Sequence, residues 1–166
     1  MISIILISVA AITGAVASYL NKKRLEKAYS TFPISMERSV PVAVSSAISA
    51  VAFLAAAISM VIQAVALSAG LFFMVLVLIG MTFTMLQTLS SALSNGKPTD
   101  KASNIASRVS YAALPVMYAV ALAVFWSVLS VFPIVLTICL IVLSTFLAGV
   151  FLLVPKQVAE AIKALS

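Results

Sequence analysis

The chain alternates between long apolar stretches and short polar ones. Residues 1–21, 39–96 and 109–155 carry no charged side chain. Because a helix needs about 20 apolar residues to cross a bilayer core of ~30 Å, each of the two longer stretches holds two spans and the N-terminal stretch holds one. The pattern predicts an all-α polytopic membrane protein with five transmembrane helices. We place these helices at about residues 2–20, 42–66, 71–94, 110–131 and 133–154.

Composition agrees with a chain that lies mostly in lipid. Of the 166 residues, 64% are hydrophobic and only 8% are charged. A soluble domain carries about 25% charged residues, so this chain has too few to cover a surface in water. We therefore interpret residues 1–166 as a single integral membrane domain whose first partners are the membrane lipids.

The charged residues indicate the orientation of the chain. All ten Lys and Arg residues and all four Asp and Glu residues lie in the segments 21–41, 95–109 and 155–166. With five spans, these three segments lie on the same side of the membrane. The positive-inside rule places that side in the cytoplasm, with the N-terminus outside and the C-terminus inside. The expected layout in the plasma membrane is an N-terminal anchor helix followed by two hairpins.

The first span has two features of its own. Its basic residues follow the apolar run, whereas a signal peptide carries them before it, so we expect a retained anchor. Ala10, Gly14 and Ser18 recur every four residues, a spacing of small residues that lets helix backbones approach closely. The helix is expected to continue beyond the apolar run to about Ala28.

The segment that follows, residues 21–39, holds seven of the fourteen charged side chains. Its basic residues are candidates both for fixing the topology and for contacting anionic lipid headgroups or an acidic partner subunit. They are Lys22, Lys23, Arg24, Lys27 and Arg38. The role in topology is enough to explain them, and no folded basic domain accompanies them, so we expect no nucleic-acid binding.

Two stripes of small or polar residues run along spans two and three. The polar members in span two are Ser45, Ser49, Ser59 and Gln63, and those in span three are Thr84, Gln87, Thr88 and Ser91. Spacings of three and four residues put most members of a stripe on one helix face. Such a face is a packing seam with hydrogen bonds between helices, which we favour, or the lining of a path for a neutral solute. Gln87 is expected level with Ser49, within reach of a hydrogen bond.

Span four carries aromatic residues at intervals of seven: Tyr111, Tyr118, Phe125 and Phe132. Seven residues are close to two helical turns, so the rings share one face. This face suits packing or the aromatic belts at the membrane surfaces. The alternative is a stacked aromatic face that holds a quinone or a lipid tail.

Three connections are also expected from the pattern. Thr99 is placed to cap a short cytoplasmic helix that precedes span four. Phe132 and Pro133 are expected to form the second outer turn. The tail after Pro155 is either an interfacial helix or a frayed, solvated end. Pro115 is expected to bend span four.

Several kinds of chemistry are excluded from the spans. The sequence has no histidine, and its four acids lie in the cytoplasmic segments. A haem held by histidine, a zinc or di-iron site and a proton relay on a buried carboxylate all need such residues in the membrane. Cys139 has no histidine to activate it and is interpreted as a packing residue. We expect no catalytic, metal or cofactor site, and no enzymatic activity by this chain alone.

The sequence therefore favours a non-catalytic integral subunit of a larger membrane protein complex, in an electron-transfer or transport assembly. Its expected role is structural, and its expected partners are other integral membrane subunits. The alternative is a channel or transporter for a small solute, built as a homo-oligomer and lined by the two polar stripes. A membrane-permeabilising protein of the lysis type is a third hypothesis.

Overall fold

The computed structural model describes residues 1–30, 37–94 and 101–165, with side chains described over the same ranges except 101–104, 152 and 154–165. Every regular element in the described residues is a helix, and there are five of them. They are α1 (Ile2–Ser30), α2 (Val40–Gln63), α3 (Ala69–Leu93), α4 (Lys101–Phe125) and α5 (Val131–Leu165). All five are long and apolar enough to cross a membrane. The prediction of an all-α chain with five helices able to span a membrane is confirmed, and these helices suggest a multi-pass membrane protein.

The first helix runs without interruption from the apolar stretch into the charged one. It contains 29 residues, the last of them Ser30, and so agrees with the expected continuation to Ala28. At ~1.5 Å per residue it is about 44 Å long, which exceeds a hydrocarbon core of ~30 Å. Its last turns, which hold Lys22 to Lys27, therefore reach beyond the apolar layer. We call the end of the molecule where these residues lie the charged end.

The helices α2 and α3 begin at recognisable signals. Ser39 occupies the N-cap position of α2, and Pro41 lies in its first turn, where a missing N–H breaks no helical hydrogen bond. Ser68 caps α3, since its hydroxyl accepts a hydrogen bond of 3.2 Å from the backbone N–H of Leu71. The connection between the two helices is residues 64–68, close to the expected turn.

The second half of the chain departs from the expected boundaries. Helix α4 ends at Phe125 and α5 begins at Val131, so the connection is residues 126–130. The prediction of a turn at Phe132 and Pro133 was wrong, because proline fits the first turn of a helix as well as a loop. The Pro133 carbonyl accepts a hydrogen bond of 2.8 Å from the Thr137 hydroxyl, one turn further along α5.

Two helices that were expected as separate pieces are continuous. The short helix before span four is the beginning of α4, which starts at Lys101 and passes through Pro115. The expected Thr99 cap lies outside the described residues. Helix α5 likewise continues past Pro155 to Leu165, so the tail is helical rather than frayed.

The helices pack mainly in chain order. Each helix contacts the next one, and α1 also contacts α3, so α1, α2 and α3 form a group to which α4 is added through α3. The core contains two fully buried rings, Phe72 of α3 and Phe125 of α4, whose centroids lie 5.3 Å apart. Buried alanines of α2, such as Ala56, let its neighbours approach closely. Helix α5 packs against α4 and lies at the edge of the group.

Candidate functional site

Small residues bring α1 and α2 together. Ala10, Gly14 and Ala17 are buried, and the Ser49 hydroxyl of α2 donates a hydrogen bond of 2.8 Å to the Ala10 carbonyl. Ser18 is exposed, so its expected place in this contact was wrong. The reason is the helical repeat of 3.6 residues, which brings position 17, rather than 18, back to the face of positions 10 and 14.

The polar stripe of α2 faces α1 in part. At the end away from the charged residues, the hydroxyl oxygens of Ser3 and Ser59 lie 3.1 Å apart, and the Gln63 amide donates to Ser59 at 2.6 Å. Ser3 also donates to the Gln63 side-chain carbonyl at 3.4 Å. Ser45 differs, because its hydroxyl donates to the Pro41 carbonyl of its own helix at 2.7 Å. Ser49, Ser59 and Gln63 thus serve the seam with α1.

The polar stripe of α3 serves a different contact. The Gln87 amide donates a hydrogen bond of 2.5 Å to the Ser110 hydroxyl of α4. The expected bond between Gln87 and Ser49, both described in full, does not form, because each side chain bonds to a different helix. Thr84 and Thr88 donate to carbonyls of their own helix, at Gly80 and Thr84. Ser91 is half-buried one turn further on.

Ser110 is a residue that the sequence reasoning missed. It is fully buried, and it also donates to the Ser107 carbonyl at 2.8 Å. A signal was present: Ser110, Tyr118, Ala121 and Phe125 fall on one face of α4, and the last three are buried too. Periodicity places position 110 on this packing face even though it lies near the charged stretch.

The aromatic stripe of α4 takes part in packing. Tyr118 and Phe125 are buried. The Tyr111 ring stacks on the Phe151 ring of α5, with centroids 4.9 Å apart and planes 6° from parallel. The Tyr111 ring also forms an edge-to-face contact with the Phe83 ring of α3. Phe132 belongs to α5 and is 72% exposed. The expected single stripe therefore divides into three packing residues and one surface residue.

Two of the five basic candidates bind the end of α3. The Arg24 guanidinium donates to the carbonyls of Glu37 (2.7 Å) and Ser94 (3.0 Å), and the Arg38 guanidinium donates to the Leu93 carbonyl at 3.1 Å. The last carbonyls of a helix lack partners within the helix and carry its negative dipole end. Both arginines therefore act as a cap on α3. We call this set of contacts the arginine clamp.

The three lysines have more open surroundings. The Lys22 amine lies 3.8 Å from the Glu26 carboxylate, and the Lys27 amine lies 4.0 Å from that of Glu37. The Lys23 amine lies over the Tyr19 ring, 4.9 Å from its centroid. The side chains in both ion pairs are more than 60% exposed, so Lys22 and Lys27 lie on the open surface of the chain.

Two of the grooves on the surface of the described helices differ in the character of their lining. One, of about 320 Å³, lies between α2, α3 and α4 and has an apolar lining that includes Leu54, Val75 and Val120. The other, of about 740 Å³, lies at the charged end. We call it the α1–α3 groove, because its lining includes Ser18, Asn21, Lys22, Glu26 and Tyr29 of α1 and Thr88 of α3.

In the described part of the chain, no three His, Cys, Asp or Glu residues lie close enough to share a metal ion. Cys139 is exposed on α5 rather than packed in a core, so its interpretation as a packing residue was wrong.

Comparisons of the chain with protein-family models, with curated proteins and with solved structures gave no match.

Proposed function

We propose that this chain is a non-catalytic integral subunit of a larger membrane protein complex, of the electron-transfer or transport kind, and that it acts as a scaffold. The proposal rests on the hydrogen bonds that polar side chains of the spans form between helices. Ser49 bonds to α1 and Gln87 bonds to α4, each across a helix interface. Polar groups engaged in this way hold helices together and leave little to line a solute path.

The arrangement of the last helix gives further support. Helix α5 packs against α4, while its other faces expose large apolar side chains such as Val142 and Phe146. In a membrane such faces are covered by acyl chains or by the helices of other subunits. A scaffold subunit needs faces of this kind, since contacts between subunits within lipid depend on helix surfaces.

The proposal includes an orientation in the plasma membrane. The N-terminus lies outside and the C-terminus inside, with an anchor helix followed by two hairpins, as the charge distribution favours. The connections 64–68 and 126–130 then lie on the outer side, and each has only five residues. Such short connections provide no outer domain for ligand binding, which agrees with a role inside an assembly.

Native mass spectrometry of the assembly, extracted from its own host in a mild detergent, tests the proposal. We expect a particle of fixed stoichiometry that contains other integral subunits of an electron-transfer or transport complex. A parallel extraction in a harsh detergent provides the control, because it should release the chain as a monomer. Recovery of the chain alone, or only as a homo-oligomer, in the mild detergent would contradict the scaffold role.

One observation favours the alternative, a homo-oligomeric channel or transporter for a small solute. The Thr84 side chain is exposed outside the internal seams, so a second copy of the chain could bring two such residues together. The same experiment separates the two functions, because the channel requires a homo-oligomer. Solute flux through vesicles that hold the wild-type chain or the Thr84→Val variant would then measure the role of the exposed part of the stripe.

A further inference from the structure

The exposed residues of α3 all lie on one face of the helix. They follow one another at intervals of three and four residues, so they form a single row along the helix. The row consists of Gly70, Met74, Val77, Met81 and Thr84. At ~1.5 Å per residue it extends for about 21 Å, and we call it the α3 row.

A buried tyrosine of α4 reaches this face with its hydroxyl. Tyr118 is only 9% exposed, and its hydroxyl forms no hydrogen bond in the described part of the chain. A β-carbon on Gly80 would lie 3.5 Å from the Tyr118 hydroxyl oxygen, so this oxygen lies beside Gly80, which borders the α3 row one turn before Thr84. The unpaired side-chain atoms that are closed to solvent belong to Asn21 and Arg24. The Tyr118 hydroxyl is therefore open to a partner at the surface.

The depth of this hydroxyl limits what can satisfy it. Gly80 lies about 17 Å from the first residue of α3 and about 20 Å from the last, near the middle of the span. Water and lipid headgroups lie outside the hydrocarbon core of ~30 Å, and an acyl chain carries no acceptor there. A polar group without a partner in this layer costs free energy. The hydroxyl therefore calls for an acceptor on another molecule embedded in the membrane.

The α3 row itself carries such an acceptor. The Thr84 hydroxyl donates its hydrogen to the Gly80 carbonyl at 3.0 Å, so the lone pairs of its oxygen remain available. A second copy of the chain, related by a twofold axis along the membrane normal, brings α3 to face α3 and supplies an acceptor for each Tyr118 donor. The three-and-four spacing of the row is also the spacing along which membrane helices pack with a left-handed crossing.

The exposed face of α2 differs from the α3 row. Between Val44 and Ile62, every exposed residue of α2 is apolar. Lipid tails are as apolar as these side chains and cover such a face without loss of hydrogen bonds. The polar groups at the α3 row therefore single it out as the face for a second copy.

We propose that two copies of this chain dimerise through their α3 rows, with the Tyr118 hydroxyl of each copy bonded to the facing α3 helix of the other. The dimer requires neither of the functions proposed above. A pair of copies fits within a larger complex, and a contact between two helices encloses no solute path. Because the tests use the purified full chain in lipid vesicles, a failed dimer leaves the scaffold proposal in place.

Cross-linking between single cysteines in lipid vesicles tests the dimer. In a Cys139→Ser background, Val77→Cys and Met81→Cys place a thiol on the α3 row, where the twofold axis brings each residue close to its counterpart. Ile58→Cys on α2 is the matched control, since the exposure of Ile58 lies between those of the other two. We expect a short, membrane-permeant bis-maleimide to cross-link both α3 variants even when the protein is diluted with lipid. Cross-linking that disappears on dilution, or that Ile58→Cys equals, would overturn the proposal.

Tyr118→Phe tests the hydrogen bond, because it removes only the hydroxyl. Energy transfer between labelled copies over a range of protein-to-lipid ratios should show dimerisation weakened about threefold for each hydrogen bond lost. Tyr111→Phe is the matched control, since the Tyr111 ring stacks on Phe151 of α5. An unchanged dimer in Tyr118→Phe, or an equal loss in Tyr111→Phe, would overturn the proposal. A chain that stays monomeric and binds a lipid-soluble benzoquinone through Tyr118 would overturn it in favour of a small-molecule site.

Discussion

Gly14 of α1 and Ser49 of α2 lie so close that a β-carbon on Gly14 would be 2.8 Å from the Ser49 hydroxyl oxygen. The same hydroxyl donates to the Ala10 carbonyl, so it occupies the space that the glycine leaves. The small size of Gly14 therefore has two consequences. It permits the close approach of the helices, and it makes room for the hydrogen bond that fixes their relative position.

A larger residue at Gly14 is therefore expected to weaken the packing of α1. Gly14→Val should lower the free energy of unfolding by about 1–3 kcal/mol, the usual cost of overpacking a well-packed contact. Unfolding of the chain in mixed micelles by a denaturing detergent measures it. Ala15→Val is the control, because Ala15 is exposed on the same helix. Equal effects of the two substitutions would show that Gly14 is not a point of close contact.

The bond between Gln87 and Ser110 should couple α3 to α4. Gln87→Leu and Ser110→Ala are each expected to cost about 0.6 kcal/mol, and up to ~1.7 kcal/mol, as measured for hydrogen bonds between membrane helices. The double variant should cost less than the sum, because both single changes remove the same bond. Thr84→Val serves as the control, since Thr84 bonds only within α3. Strict additivity would contradict the coupling.

The arginine clamp should require arginine rather than positive charge alone. Arg24→Lys is expected to destabilise the chain by about 1–3 kcal/mol, because a single ammonium cannot reach both carbonyls that the planar guanidinium contacts. The orientation should stay unchanged, since lysine keeps the charge that sets topology. Thermal unfolding measures the stability, and Lys22→Arg is the comparison outside the clamp. No loss of stability in Arg24→Lys would exclude a structural role for the Arg24 contacts of the clamp.

Labelling of single cysteines should reveal the orientation. In a Cys139→Ser background, Val65→Cys in the connection between α2 and α3 is expected to react with a membrane-impermeant maleimide added to intact cells. Tyr29→Cys at the charged end should react only after the cells are opened. Both positions are well exposed on the chain, so accessibility within the protein does not limit either reaction. The reverse pattern would place the N-terminus inside.

The sequence identified some of the residues that join the helices but not their partners. Spacing along α2 and α3 marked Ser49, Ser59, Gln63 and Gln87 as residues of helix faces, and all four form hydrogen bonds with other side chains or with a neighbouring backbone. The partner of Gln87 was missed, because a stripe on one helix does not say which neighbour it faces. Ser110 lies 23 residues further along the chain, on a helix that also contacts α3 through the Phe72–Phe125 ring pair.

By itself the sequence determined how many helices there are and where the charges lie. Both follow from free energies that act locally. The transfer of apolar residues into lipid sets the number of helices. The cost of burying charge keeps Lys22 to Lys27 out of the hydrocarbon core of the bilayer. Only the tertiary structure decided the contacts. It turned Gln87 toward α4, placed Ala17 rather than Ser18 against α2, and directed Arg24 and Arg38 to the end of α3. In lipid, apolar faces that pack and apolar faces that meet acyl chains look alike in sequence, so side-chain shape and hydrogen-bond geometry between helices made those choices.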